Sequence, residues 1–162
     1  MNYASIRTCD IANGEGVRVT LFVSGCTHRC KGCFNPDQWS FDYGEPFTRE
    51  TEDRLLGLLE PSFISGLSIL GGEPMEPSNQ AALVPFLRRV RERFGETKTV
   101  WVYTGCVLES ELQFASHWRT DLTDEFLSLI DVLVDGPFVE SLKDISLRFR
   151  GSSNQRILRF NR

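Results

Sequence analysis

At 162 residues, with 41% hydrophobic and 25% charged side chains, the chain is sized for a single domain over 1–162, and this balance excludes a disordered or fibrous protein. A net charge of −4 excludes a general pull toward nucleic acid or anionic lipid, and no apolar run approaches the roughly 20 residues of a membrane span. The opening stretch MNYASIRTCDIANGEG has neither the basic start nor the apolar run of a signal peptide, which points to the cytoplasm.

The first predicted element is a strand over Val17–Val23, β-branched and apolar, with a turn signal before it at Asn13–Gly16. It runs directly into three clustered cysteines. Thr48–Leu59 opens on a capping residue and carries Leu55, Leu56, Leu58 and Leu59, which predicts a helix. Leu67–Leu70 is a short apolar strand ending at Gly71-Gly72-Glu73-Pro74. Ser78–Phe94 keeps a 3.6-residue apolar period through Ala82, Leu83, Phe86, Leu87, Val90 and Phe94, and predicts the clearest helix. Thr99–Tyr103 is a strand ending at Thr104-Gly105. Asp124–Ile130 reads as a helix, Val132–Val134 as a strand ending at Asp135-Gly136, and Arg156–Phe160 as a final strand.

Strands that alternate with helices predict parallel β/α units, whose ligands sit beyond the carboxyl ends of the strands. Every predicted strand end here carries small or polar residues, so one shared site is expected. The chain is short of the roughly 250 residues of a closed eightfold barrel. The expected architecture is α/β, an open partial barrel.

An odd count of five cysteines, without a signal sequence, argues against a disulfide framework. Cys26, Cys30 and Cys33 have the spacing C-x3-C-x2-C. Three thiolates on one tight loop can hold three corners of a cubane cluster, whereas an electron carrier usually supplies a fourth cysteine. The fourth iron then stays open for a ligand. Zinc is the main rival, with His28 or His117 completing a Cys3His site. Structural zinc favours two separated ligand pairs, and no second pair exists. His28 and His117 otherwise read as surface residues, and Cys9 and Cys106 as small buried apolar groups. Gly71-Gly72-Glu73-Pro74, taken alone, is a strand-to-helix turn. The chain has fifteen arginines and only three lysines. Arg88, Arg89, Arg91 and Arg93 are interleaved with acids, as on a solvated helix face rather than a nucleic-acid interface. The tail is locally basic, with Lys143, Arg148, Arg150, Arg156, Arg159 and Arg162.

The cysteine spacing followed by an aromatic, Phe34, resembles the signature of the radical S-adenosylmethionine superfamily, and Gly71-Gly72-Glu73 resembles its GGE motif. The segments between them narrow the likeness. DIANGEGVRVTLFVSGC, CFN, Trp39, GGEPMEPSN, WVYTG, DVLVDGPF and above all RGSSNQ at Arg150–Gln155 resemble the activating proteins of anaerobic (class III) ribonucleotide reductase, over Asn2 to Ile157. The resemblance implies an open partial barrel of the radical S-adenosylmethionine type. It implies a 4Fe-4S cluster on Cys26, Cys30 and Cys33, and S-adenosylmethionine as the second cofactor. The activity implied is reductive cleavage of that cofactor and abstraction of hydrogen from a glycine of the large reductase subunit. A flavodoxin or ferredoxin is the implied electron donor. Main-chain groups at Gly32, Cys33 and Phe34 would touch adenine, and Gly71, Gly72 and Glu73 the methionine end. Thr104, Gly105 and Asp135 would serve ribose or carboxylate contacts. Two positions depart from the pattern. Phe34 stands where Tyr is frequent, and Pro137 where some relatives carry Lys, which leaves the tail arginines to meet the cofactor's carboxylate. The other readings are a pyruvate formate-lyase-type activase, a 7-carboxy-7-deazaguanine synthase, or a zinc-stabilised adaptor without catalysis.

Overall fold

In the computed structural model, which describes residues 1–161, the apolar run Val17–Val23 forms β2, and its last six residues are buried. β2 pairs in parallel with β4 (Ile64–Gly71), and the parallel run continues through β5 (Thr99–Tyr103) to β6 (Val132–Asp135). Three helices make the crossovers between these strands: α1 (Arg49–Leu59), α2 (Pro77–Phe94) and α3 (Thr123–Ser128). Apolar residues, Val the most frequent, make up most of β2 and β4 to β6 because parallel strands are covered on their faces.

The sheet has three further strands, all antiparallel to their neighbours. β1 (Asn2–Asp10) folds back on β2, β3 (Glu45–Pro46) pairs with β1, and β7 (Arg156–Arg159) pairs with β6. The order is β3-β1-β2-β4-β5-β6-β7, and the two ends do not meet, so the sheet is open. The purely parallel alternation expected from sequence therefore holds only for the central four strands. β1 was not expected: most of its side chains are polar or half exposed, so no apolar run marks it.

Local chemistry accounts for the helices. Thr48 caps α1, its hydroxyl accepting from Thr51 N while Thr51 Oγ1 accepts from Thr48 N. Leu55, Leu56 and Leu59 then face the core. In α2 the buried stripe is Leu83, Val84, Phe86, Leu87 and Val90, each worth roughly 1.5–3 kcal/mol on burial. Its arginines pair outward: Arg88 with Glu125, Arg89 with Glu52 and Asp53, Arg93 with Glu60. Arg91 reaches Asp131 at 2.6 Å. The stripe of cations thus ties α2 to its neighbours. Beneath the amino ends of β4 and β5 lies Arg18, fully buried without a carboxylate. Its donors reach Ser68 Oγ, the Leu67 and Thr99 carbonyls, Thr99 Oγ1 and the Glu15 carbonyl. Burial lowers its pKa to about 10. Among the described residues, no helix is long and apolar enough to cross a membrane.

Candidate active site

The carboxyl ends of the parallel strands open into a cavity of about 380 Å³. Its floor begins where β2 ends. Gly25, at φ 96°, turns the chain, and the loop closes on itself through Gly25 N to Gln38 O (2.8 Å) and Cys26 N to Trp39 O (3.1 Å). Inside the loop Cys33 N donates to Cys30 O (3.2 Å), and Asn35 N to Cys33 Sγ (3.4 Å). Arg29 takes a left-handed conformation, φ 50°, with its guanidinium over the Trp39 ring. Cys26, Cys30 and Cys33 are free thiols, half-buried, and all three line the cavity.

The glycine turn after β4 is bonded onto this loop. Gly72 N donates to Val23 O (2.7 Å) and Glu73 N to Gly25 O (2.8 Å). A Cβ at position 72 would lie 2.6 Å from Gly25 O, so glycine is required for the two backbones to meet. Glu73 is only 1% exposed, and four donors occupy its carboxylate. Met75 N and Thr104 Oγ1 reach Oε1 at 2.8 and 2.7 Å. Gly105 N reaches Oε2 at 2.7 Å, and His28 Nε2 lies 2.8 Å from it.

A second carboxylate, Glu76, does the same for the neighbouring residue of the loop. It accepts from Thr27 N and Oγ1 at 2.7 and 2.6 Å and from Trp118 Nε1 at 3.3 Å, and His117 Nε2 lies 3.1 Å away. Burial pushes its pKa up, but these hydrogen bonds outweigh it and hold the carboxyl below its usual range. Sequence reasoning missed Glu76. The only sign of it was an acid just before the proline that opens α2.

His28 is a correction. It is not a surface residue: its side chain is 10% exposed and stacks on Trp118 with ring centroids 4.4 Å apart. Burial lowers its pKa, yet the bond to Glu73 and that group's charge raise it above the usual value. His117, half exposed, meets Glu76. Cys106 is buried, as expected, whereas Cys9 is exposed on β1, contrary to expectation, because β1 turns that side chain outward. His28, Glu73 and Cys106 offer ligand atoms within 4.8 Å of one another. The hydrogen bonds just described already occupy the first two.

The far wall comes from the tail. Gln155 Oε1 accepts from Gly151 N (2.8 Å) and Ser152 N (3.1 Å), and its Nε2 donates to Gly136 O (3.0 Å). Asn154 Nδ2 donates to Pro137 O (2.7 Å) and Val139 N to Ser152 Oγ (3.1 Å). The RGSSNQ stretch is therefore a clasp between the tail and the segment after β6.

Of the residues singled out in the sequence, Cys26, Cys30, Cys33, Phe34, Gly71, Gly72, Glu73, Thr104 and Gly105 line the cavity. Gly32 and Asp135 do not. Gly32, at φ 74°, abuts the Glu140 side chain. Asp135 is fully buried, accepting from Arg156 Nε (2.9 Å) and Nη2 (2.5 Å) and from Leu108 N (2.9 Å), so it fastens β7 to β6.

The donor set suits a cubane cluster with one open iron. Three thiols share the lining, and among the described residues no fourth cysteine joins them. Burial, with the Glu73 charge, pushes the Cys26 thiol up to about 12, and burial pushes Cys30 up too. A cationic metal centre offsets both costs and takes such thiols as thiolates.

Comparison with known proteins agrees with this chemistry. Residues 12–158 match the family model described as a 4Fe-4S single cluster domain. The chain is 46% identical over 162 residues to the anaerobic ribonucleoside-triphosphate reductase-activating protein of Pasteurella multocida, covering 99% of this chain and 98% of that one. It is 44% identical over 157 residues to the Escherichia coli protein of the same name, covering 96% of each. It is 39% identical over 157 residues to that of Enterobacteria phage T4, covering 97% of this chain and 93% of the phage protein. Three thiols on one loop, a glycine turn bonded to them and full-length likeness lead to one conclusion: the chain belongs to the family of anaerobic ribonucleoside-triphosphate reductase-activating proteins.

Proposed function

We propose that the protein activates an anaerobic ribonucleotide reductase by generating a glycyl radical on its large subunit. The observation that carries this reading is the joining of the cysteine loop to the Gly71–Glu73 turn at the floor of one cavity. That cavity, at about 380 Å³, lies within the range of small-molecule sites. When bound, a 4Fe-4S cluster supplies the electron that cleaves S-adenosylmethionine to methionine and a 5′-deoxyadenosyl radical, which takes hydrogen from the glycine α-carbon.

Cys26, Cys30 and Cys33 are the cluster ligands. Gly71 and Gly72 bring main-chain carbonyls close to the methionine ammonium. Glu73, saturated by four protein donors, fixes that turn rather than gripping the ligand. Main-chain groups of Cys33 and Phe34 meet adenine, Gly32 only turns the loop beneath them at φ 74°, and Thr104 and Gly105 meet ribose. Asp135 acts at one remove, by holding the end of β6 against β7. The parallel core with its cavity at the strand ends supports an open partial barrel of the radical S-adenosylmethionine type. A cytoplasmic setting and a flavodoxin or ferredoxin donor complete the reading. The named relatives favour it over a pyruvate formate-lyase-type activase, a deazaguanine synthase or a zinc adaptor.

The test is to incubate the reconstituted protein anaerobically with S-adenosylmethionine, a low-potential reductant and the large reductase subunit. A glycyl doublet in electron paramagnetic resonance is expected. Its absence, with the cluster intact and reduced, overturns the reading.

A further inference from the structure

Glu73 and Glu76 are each 1% exposed, and among the described residues neither has an arginine or lysine as a partner. Asp135, also fully buried, meets the Arg156 guanidinium instead. The partners of Glu76 are the Thr27 amide and hydroxyl, the Trp118 indole and the ring of His117. The first three are neutral, and the His117 side chain is 57% exposed and open to water. Neutral donors keep a buried carboxylate ionised but do not cancel its charge. A buried charge without a counter-charge is costly, so this pattern calls for a reason beyond stability.

The fold fixes where that charge lies. Glu76 is the residue before Pro77, which opens α2, and its carbonyl accepts from the amides of Asn79 and Gln80, both at 2.9 Å. From this anchored backbone the side chain reaches Thr27, the first residue of the spacer between Cys26 and Cys30. The carboxylate is thus one residue removed from a thiol, and its charge reaches the Cys26 sulfur. Glu76 does not line the cavity, so a ligand there does not touch it. Its influence on the site is therefore electrostatic. Net charge, hydrogen bonding and exposure set the potential of an iron–sulfur cluster, and a negative charge nearby opposes the arrival of an electron, most strongly where water is excluded.

We propose that Glu76 holds the reduction potential of the cluster low by its negative charge and so makes the reduced cluster a stronger reductant, an assignment that rests on the cofactor reading above.

The test is a potentiometric titration of the anaerobic, cluster-loaded protein, followed by electron paramagnetic resonance of the reduced cluster. Glu76→Gln keeps an acceptor for Thr27 and loses the charge. It is expected to raise the midpoint by at least about a threefold change in the reduction equilibrium, a tenfold change being about 59 mV for one electron. Glu76→Asp keeps the charge and is expected to move the midpoint by less than half as much. Iron content and circular dichroism establish that cluster and fold are present in each variant. Where Glu76→Gln does not keep the cluster, His117→Arg takes its place: it brings a fixed cation to Glu76 from the exposed side and is expected to raise the midpoint too. An unchanged or lowered midpoint in the deciding variant, or an equal rise in Glu76→Gln and Glu76→Asp, overturns the assignment and leaves the cofactor reading standing. Absence of a reducible 4Fe-4S cluster from the unsubstituted protein, with iron and sulfide supplied in excess, overturns the cofactor reading and the assignment with it.

Discussion

The two walls of the cavity are built on opposite terms. On the wall formed by the cysteine loop and the glycine turn, Glu73 and Glu76 each accept from several protein donors. On the opposite side, Arg150 Nε is buried and donates to nothing in the protein. Satisfied buried groups fix a shape; unsatisfied ones favour a ligand that completes them. The saturated wall therefore holds the three thiols still, and the unsaturated one leaves a donor free for a ligand.

The largest expected effect breaks the first wall at its ligands. Cys30→Ala removes one of three thiols, so iron retention and cleavage of S-adenosylmethionine should both be lost, while the remote core costs less than about 1 kcal/mol. Metal analysis and urea unfolding of the metal-free protein check the two halves. Retained cleavage would exclude Cys30 as a ligand. Next comes Glu73→Ala, which strands four donors in a buried place. It should destabilise the metal-free protein by about 3–5 kcal/mol in urea. A loss below about 1 kcal/mol would mean that the first wall is not held by saturation.

Gln155→Ala probes the other wall. It removes three hydrogen bonds of the clasp and should cost about 1–3 kcal/mol. Amide exchange at Gly151 and Ser152 should quicken while that at Thr27 stays slow; equal quickening would show the two walls to be one unit. The smallest effect is a pH dependence. The Glu76 carboxyl sits below its usual 4.5 in the folded protein. Its contribution is therefore complete above pH 4.5 and is lost as pH falls through the lower folded value. Unfolding midpoints should drop in that acid window, and Glu76→Gln should flatten the drop. An unchanged slope would remove Glu76 from the account.

Periodicity made much of this molecule legible beforehand. Val17–Val23 and Thr99–Tyr103 are strands with those bounds, and the expected helix Ser78–Phe94 begins one residue earlier, at Pro77. The two strands are buried nearly throughout and the helix along one side, and a pattern of apolar residues records both. The antiparallel edge escaped notice because β1 is held by its neighbours' backbones and not by an apolar face. The site was legible where chemistry is dense in sequence, at three cysteines within eight residues and at two adjacent glycines. Glu76, His28 and Trp118 were not, because their roles depend on contacts between segments about 40 to 90 residues apart. Asp135 stood at a strand end like its neighbours, but nothing in the sequence tells that Arg156 draws it away from the cavity.

The clasp at Arg150–Gln155 also has a consequence in time. The cysteine loop leaves the ribosome early, while the wall that faces it arrives only after β4, β5 and β6 have been made. At roughly 5–20 residues per second, the three thiols spend several seconds on an open-sided loop before that wall exists. Delivery of iron and sulfide during synthesis thus meets one wall, whereas delivery to the finished protein passes between two.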